Sequence, residues 1–218
     1  MQKTEILNLI REECNAVPDT SAATDGVARR VYSKLPADDG ELVDLLDFLV
    51  STGESRMLWF ASVWIKRRGL YRLEYMPTYE GWLHDHVTRW GICDVFCYRV
   101  LNPMLERHPQ LFKRVMAWAD SPKTYVRRAA PVSLLVSGQS FRVNSSLDRV
   151  LAIVRKLKHD EEDHVQKGVG WLLKYAYLTY PEEIHQYLKE NVDNLPRLIF
   201  RYALEKAPEE VRKELMSL

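Results

Sequence analysis

Three features of the 218-residue sequence predict an all-α fold, a solenoid of stacked antiparallel helix pairs with a concave basic groove. Apolar residues recur at helical spacing along nearly the whole chain. No run of period-two alternation argues for a strand. Turn-forming residues start successive helix pairs near residues 40, 75, 109, 145 and 181, a pitch of 34 to 36 residues. That pitch suits helical hairpins of the HEAT or armadillo kind, which bury apolar area between neighbouring pairs and leave a concave face for a ligand. An irregular helical bundle is the competing architecture.

The elements follow in order. The first 14 residues carry charges throughout, which argues for a helix and against a secretory signal. Leu42, Leu45, Leu46 and Leu49 form an i, i+3, i+4, i+7 stripe after the break at residues 36–40. Gly53, Gly69 and Pro77 bound the next helices, whose Trp59 and Trp64 are expected, with Trp118, to fill the core. Leu111, Phe112, Val115, Met116 and Ala119 make a second stripe after His108-Pro109.

Ser121-Pro122 reads as an N-cap followed by proline at the first helical position. Tyr125, Ala129, Val132 and Val136 form the buried stripe of that helix, with a kink at Pro131. Gly138 to Ser146 is a break. Ser145 with Asp148 resembles a capping box. The acidic residues 160–163 suit a helix N-terminus, and Val165, Val169, Leu172 and Ala176 form the stripe that follows. Pro181, Pro196 and Pro208 divide the remainder. The sum is about a dozen helices of roughly 11–17 residues.

Net charge is +1, but it is unevenly spread. Residues 1–55 carry a net −6, residues 56–180 a net +9 and residues 181–218 a net −2. A central segment this basic in a near-neutral chain is the footprint of a polyanion partner, or of a solvated charged face. No stretch approaches a membrane span. Three cysteines form no paired framework, so a reducing, cytoplasmic setting is expected.

Three constellations carry candidate chemistry. Trp90 and Asp94 are i, i+4 neighbours if a helix starts near Trp90, so a ring and a carboxylate would stand together to meet a cationic group. Asp94 serving the helix N-terminus is the alternative. Arg127 and Arg128 lie off the stripe of their helix and could reach phosphate, or simply be solvated. Trp171 lies about 200° from Val169 and between Lys167 and Lys174. It either meets a DNA sugar or base or packs on the next helix pair.

No phosphate-binding loop, dinucleotide fingerprint or serine-hydrolase elbow is present. His84, Asp85 and His86 followed by Cys93 and Cys97 fit no common metal spacing, so no metal is expected, and both cysteines read as packed thiols. The histidines at 108, 159, 164 and 185 carry no assigned role.

In this order the constellations resemble the AlkD-type DNA alkylation-repair glycosylases, a family built from HEAT-like repeats. The resemblance rests on Trp90-Gly-Ile-Cys-Asp94, on Val126-Arg-Arg-Ala-Ala130, and on Val165-Gln-Lys-Gly-Val-Gly-Trp-Leu-Leu-Lys174. It implies Asp94 as catalytic aspartate, Trp90 and Trp171 as the sugar-cradling tryptophans and Arg128 as the phosphate-binding arginine. Arg127 would be an auxiliary backbone contact, and Lys123, Lys167, Lys174 and Arg89 further DNA-binding groups. The chain departs from the family at Gly91, where an acid is common, at Pro131, and in its N-terminal third.

The resemblance implies one repeat domain over residues 1–218: N-terminal helices 1–52, catalytic and DNA-binding repeats 53–190 and capping helices 191–218. The expected function is that of a monomeric, monofunctional glycosylase. It would release cationic alkylpurines (N3-methyladenine, N7-methylguanine type) from duplex DNA, without cofactor or obligate protein partner. A purine already cationic leaves as a neutral base, so one carboxylate suffices, where glycosidases with poorer leaving groups need two. A non-catalytic relative that binds distorted or branched DNA and a HEAT-type protein-interaction scaffold are the rivals.

Overall fold

A computed structural model describes residues 2–137 and 141–217. The fold is all-α, and it packs as two compact units, Met1–Thr88 and Arg89–Leu218. The break expected from Gly138 to Ser146 falls partly on residues 138–140, which lie outside the described residues.

The first unit contains α1 (Lys3–Asn15), α2 (Ser21–Val31), α3 (Asp39–Ser51), α4 (Ser55–Arg68) and α5 (Met76–Asp85). Thr20 caps α2 by accepting from the Ala23 N–H, and Asp38 caps α3 by accepting from the Glu41 N–H. The leucine stripe of α3 is wholly buried, as its spacing requires. Gly69 closes α4 in the left-handed conformation, φ 72°, which costs a glycine least. Trp64 is core, fully buried with its indole N–H on the Ala28 carbonyl at 2.8 Å, and Trp118 is buried too, whereas Trp59 is only half-buried and donates to Asp25.

The second unit holds α6 (Trp90–Phe96), α7 (Asn102–Arg107), α8 (Phe112–Trp118), α9 (Thr124–Val132), α10 (Leu147–Leu157), α11 (Asp163–Thr179), α12 (Pro181–Glu190), α13 (Arg197–Ala203) and α14 (Glu209–Ser217). Helical segments start at Asp39, Met76, Pro109 (a 3-10 turn leading into α8), Leu147 and Pro181, near the expected starts but spaced by 33 to 38 residues instead of 34 to 36.

The differences are local. Helices run from 6 to 17 residues, shorter at the low end than expected. A π-helical stretch, Cys97–Leu101, separates α6 from α7, just ahead of Pro103, whose missing N–H weakens the helical ladder there. Ser121-Pro122 precedes α9 without starting it: the Ser121 hydroxyl accepts from the Lys123 N–H and the helix begins at Thr124. The helix ends one residue after Pro131, where a kink was expected, so Val136 lies outside it; Tyr125, in its first turn, is only half-buried. Leu135–Val136 instead pairs antiparallel with Arg142–Val143 as β1 and β2, a two-rung ladder too short to show a period. Helix α10 starts after Ser146, so Ser145 is no cap, while Asp148 stays in its first turn.

Candidate active site

The candidate residues of the second unit converge where α6, α9 and α11 pack. The thiols of Cys93 on α6 and Cys97 at the start of the π-helical stretch lie against α9, Cys93 Sγ 3.3 Å from the Tyr125 carbonyl and Cys97 Sγ 3.9 Å from that of Ala129. They are packed thiols, and burial pushes Cys97 upward in pKa. That seam sets Asp94 against Arg128. Nε and Nη2 of Arg128 donate to Oδ1 and Oδ2 of Asp94, each at 2.8 Å. Nη1 donates to the His164 backbone carbonyl on α11 at 2.5 Å.

Both partners are buried, Asp94 7% and Arg128 6% exposed, so Asp94 serves Arg128 and not its own helix N-terminus. Burial pushes the Asp94 carboxyl above its ordinary value; the hydrogen bonds and charge of Arg128 draw it back only in part. For Arg128 burial works against the charge, and Asp94 more than offsets it, holding the guanidinium protonated.

Trp90 opens α6 and is 56% exposed, one turn from the buried Asp94. It lines a pocket of about 340 Å³ with Arg128, His164, Lys167, Trp171, Lys174 and Tyr202. Asp94 does not line it; Arg128, to which it is paired, does. Trp171 lines the pocket and packs edge-on against Phe141, which lies between α9 and α10 and not in the next helix pair, ring centroids 4.9 Å apart.

The motif around Trp171 has a local cause at each position. Gln166 donates its side-chain amide to the Asp160 carbonyl at 2.8 Å, closing the loop ahead of α11. At Gly170 an added Cβ would stand 2.5 Å from the Tyr202 Cβ and 3.0 Å from the Ile199 carbonyl, so only a glycine lets α13 approach this closely. Gly168 faces Pro131 and Arg128 at 3.3 and 3.4 Å. Gly91 faces open space, so an acidic side chain would fit there.

Three of the other basic candidates have acidic partners. Arg127 donates to Asp160 through Nε at 2.6 Å and Nη2 at 3.3 Å, and to the Ser121 carbonyl through Nη1. Lys174 pairs with Glu205 at 2.6 Å and Lys167 with Asp163 at 3.3 Å. Lys123 and Arg89 are exposed at the N-terminal ends of α9 and α6. Among the described residues no cluster of three or more His, Cys, Asp or Glu could hold a metal ion, and no helix is long and apolar enough to cross a membrane.

Sequence reasoning missed His164, Tyr202, Phe141 and Tyr98. Phe141 sits beside a strand pair too short to read, and Tyr202 lies in a helix that carries no motif. The one available signal was Gly170, whose place in a strong helix implies a close neighbour.

A helical-repeat scaffold carrying a buried ion pair beside an aromatic and basic pocket is thus defined by geometry alone. The chain belongs to the family described as DNA alkylation repair enzyme, whose model matches residues 16–207, and its role is therefore in alkylation repair with DNA as substrate. Among solved structures it is similar in fold to a predicted DNA alkylation repair enzyme from Enterococcus faecalis, with TM-score 0.69 and 14% identity over 87% of each chain. No curated protein matches it.

Proposed function

We propose that this protein is a monomeric, monofunctional DNA glycosylase that hydrolyses the N-glycosidic bond of cationic alkylpurines in duplex DNA, the first step of base-excision repair. The observation that carries the reading is the Arg128–Asp94 pair, both oxygens engaged at 2.8 Å, beside a pocket that Arg128 lines together with Trp90 and Trp171.

A purine alkylated at N3 or N7 carries its own positive charge and departs as a neutral base. What remains is positive charge on the deoxyribose. Asp94 supplies the opposing field from a buried position, where a charge acts through less screening than in water. A well-placed group of this kind is worth roughly 3–4 kcal/mol by analogy with oxyanion holes. Each carboxylate oxygen keeps acceptor capacity beyond its bond to Arg128, and for Asp94 to align the attacking water as well DNA binding must open it to the pocket, which it does not line here. Arg128 fixes the carboxylate's orientation and retains N–H groups on Nη1 and Nη2 for a phosphate oxygen.

Trp90 and Trp171 hold the sugar and exclude water. Lys167, Lys123 and Arg89 supply backbone contacts, which position without reading sequence. Lys174 lines the pocket with its charge matched by Glu205. Arg127, held by Asp160, belongs to the scaffold. The reaction needs no metal or cofactor.

One observation favours a second reading. Asp94 is neutralised by Arg128 and does not line the pocket, as suits a relative that binds distorted or branched DNA without cutting the bond. Single-turnover base release from a duplex with one N7-methylguanine, wild type beside Asp94→Asn, separates them. Release by wild type alone supports the glycosylase. No release by either, with tight salt-sensitive binding, supports the binder.

A further inference from the structure

Phe141 has no place in the reading so far, yet it touches three aromatic rings of the second unit. Its centroid lies 4.9 Å from Trp171 and 5.6 Å from Tyr175, both on α11. It lies 5.7 Å from Tyr98, in the π-helical stretch four residues beyond Asp94. The Phe141 edge contact with Trp171 is steeply inclined, 64° between planes, and so is that with Tyr98, 73°. Such edge-to-face pairs are favoured because the positive rim of one ring meets the negative face of the other.

Trp171 also touches Tyr175, but at 6.4 Å, so Phe141 is the nearer ring. Phe141 adjoins β2, where Val143 is buried and paired with Leu135, so the backbone beneath it is anchored.

We propose that Phe141 is a positioning residue for Trp171. It bridges the helical segment that carries Asp94 to the helix that carries Trp171, and so sets the indole that walls the pocket. The proposal rests on the glycosylase reading for its effect on rate, but not for its effect on Trp171 itself.

The test is a double-mutant cycle with an optical readout beside it. Single-turnover base release from the N7-methylguanine duplex is measured for wild type, Phe141→Ala, Trp171→Ala and the double variant. Phe141→Ala is expected to slow release roughly tenfold with DNA affinity retained, and to add nothing once Trp171 is gone. Phe141→Tyr, which keeps the ring, restores the rate.

In parallel, the fluorescence contributed by Trp171 is taken as the difference between each protein and its Trp171→Phe counterpart. It is expected to shift to the red in Phe141→Ala, as the indole gains solvent. If Phe141→Ala fails to fold, Phe141→Leu keeps the apolar volume without the ring and is read in its place. An undiminished Phe141 effect in the Trp171→Ala background, or an unshifted Trp171 spectrum, overturns the proposal. A wild type that releases no base overturns the glycosylase reading instead, and the spectrum still decides the role of Phe141.

Discussion

Arg128 grips both carboxylate oxygens of Asp94 at 2.8 Å while its third nitrogen holds a main-chain carbonyl of the next helix. Removing one member of a buried pair leaves the other uncompensated, at about 3–5 kcal/mol. Arg128→Ala is therefore expected to lower the thermal midpoint and to weaken both base release and DNA binding. Asp94→Asn keeps one acceptor for Arg128 and removes a negative charge near the phosphates. It should lose release by about 10²–10³-fold with DNA affinity equal or better. Melting curves, single-turnover rates and titrations on one set of variants check all of this. A fully active Asp94→Asn would sink the mechanism.

The acidity of Asp94 has a direction that solution work can read. Burial raises its folded value above the ordinary 3.8, with Arg128 pulling the other way. Catalysis needs the ionised form, so the acid limb of the release rate should lie above pH 3.8. Arg128→Gln should move that limb higher still. For stability the sign is opposite. A raised folded pKa makes a contribution that is complete below the unfolded value and lost as pH rises through the folded one. Midpoint against pH, wild type minus Asp94→Asn, should therefore fall across that window. An acid limb at or below pH 3.8 contradicts the assignment.

The glycines separate by what surrounds them. Gly170→Ala would place a Cβ 2.5 Å from that of Tyr202, and overpacking of this kind costs about 1–3 kcal/mol. Gly91→Glu meets open space in the first turn of α6, where an acid gains about 0.3–1 kcal/mol from the helix dipole. Chemical denaturation of the two variants should move in opposite directions.

The two kinds of basic residue should separate under salt. On the proposed reading Lys167 exchanges Asp163 for a phosphate, so Lys167→Ala is expected to reduce the slope of log affinity against log salt by about 1. Arg127→Ala breaks a largely buried pair with Asp160 and should lower the melting temperature with the salt slope unchanged. If Arg127→Ala instead flattens the slope, Arg127 leaves Asp160 for DNA.

The stripes of α3 and α11 were legible because each depends on spacing within one helix. Trp90, Asp94, Arg128 and Trp171 stand on three helices, and only the motifs resembling those of the family singled them out together. The partners were not legible. That Arg127 faces Asp160, and Lys174 Glu205, depends on which helices become neighbours, and both pairs are separated by more than 30 residues in sequence. Ser121-Pro122 misled because its hydroxyl caps a turn, a local bond as good as a helix cap. The β1–β2 pair left too few residues for any alternation to register.

Helix α11 is pinned about its own axis. Gln166 ties its first turn to the Asp160 carbonyl, and Gly170 admits the backbone of α13 on one side only. A slip of one residue would rotate the helix by about 100° and present a bulky side chain, Val169 or Trp171, where the gap for a glycine is. Rotational register is thus checked twice within five residues. A single deletion between Gln166 and Gly170 should do more harm than any single substitution there, because it turns every ring and charge beyond it away from its partner at once.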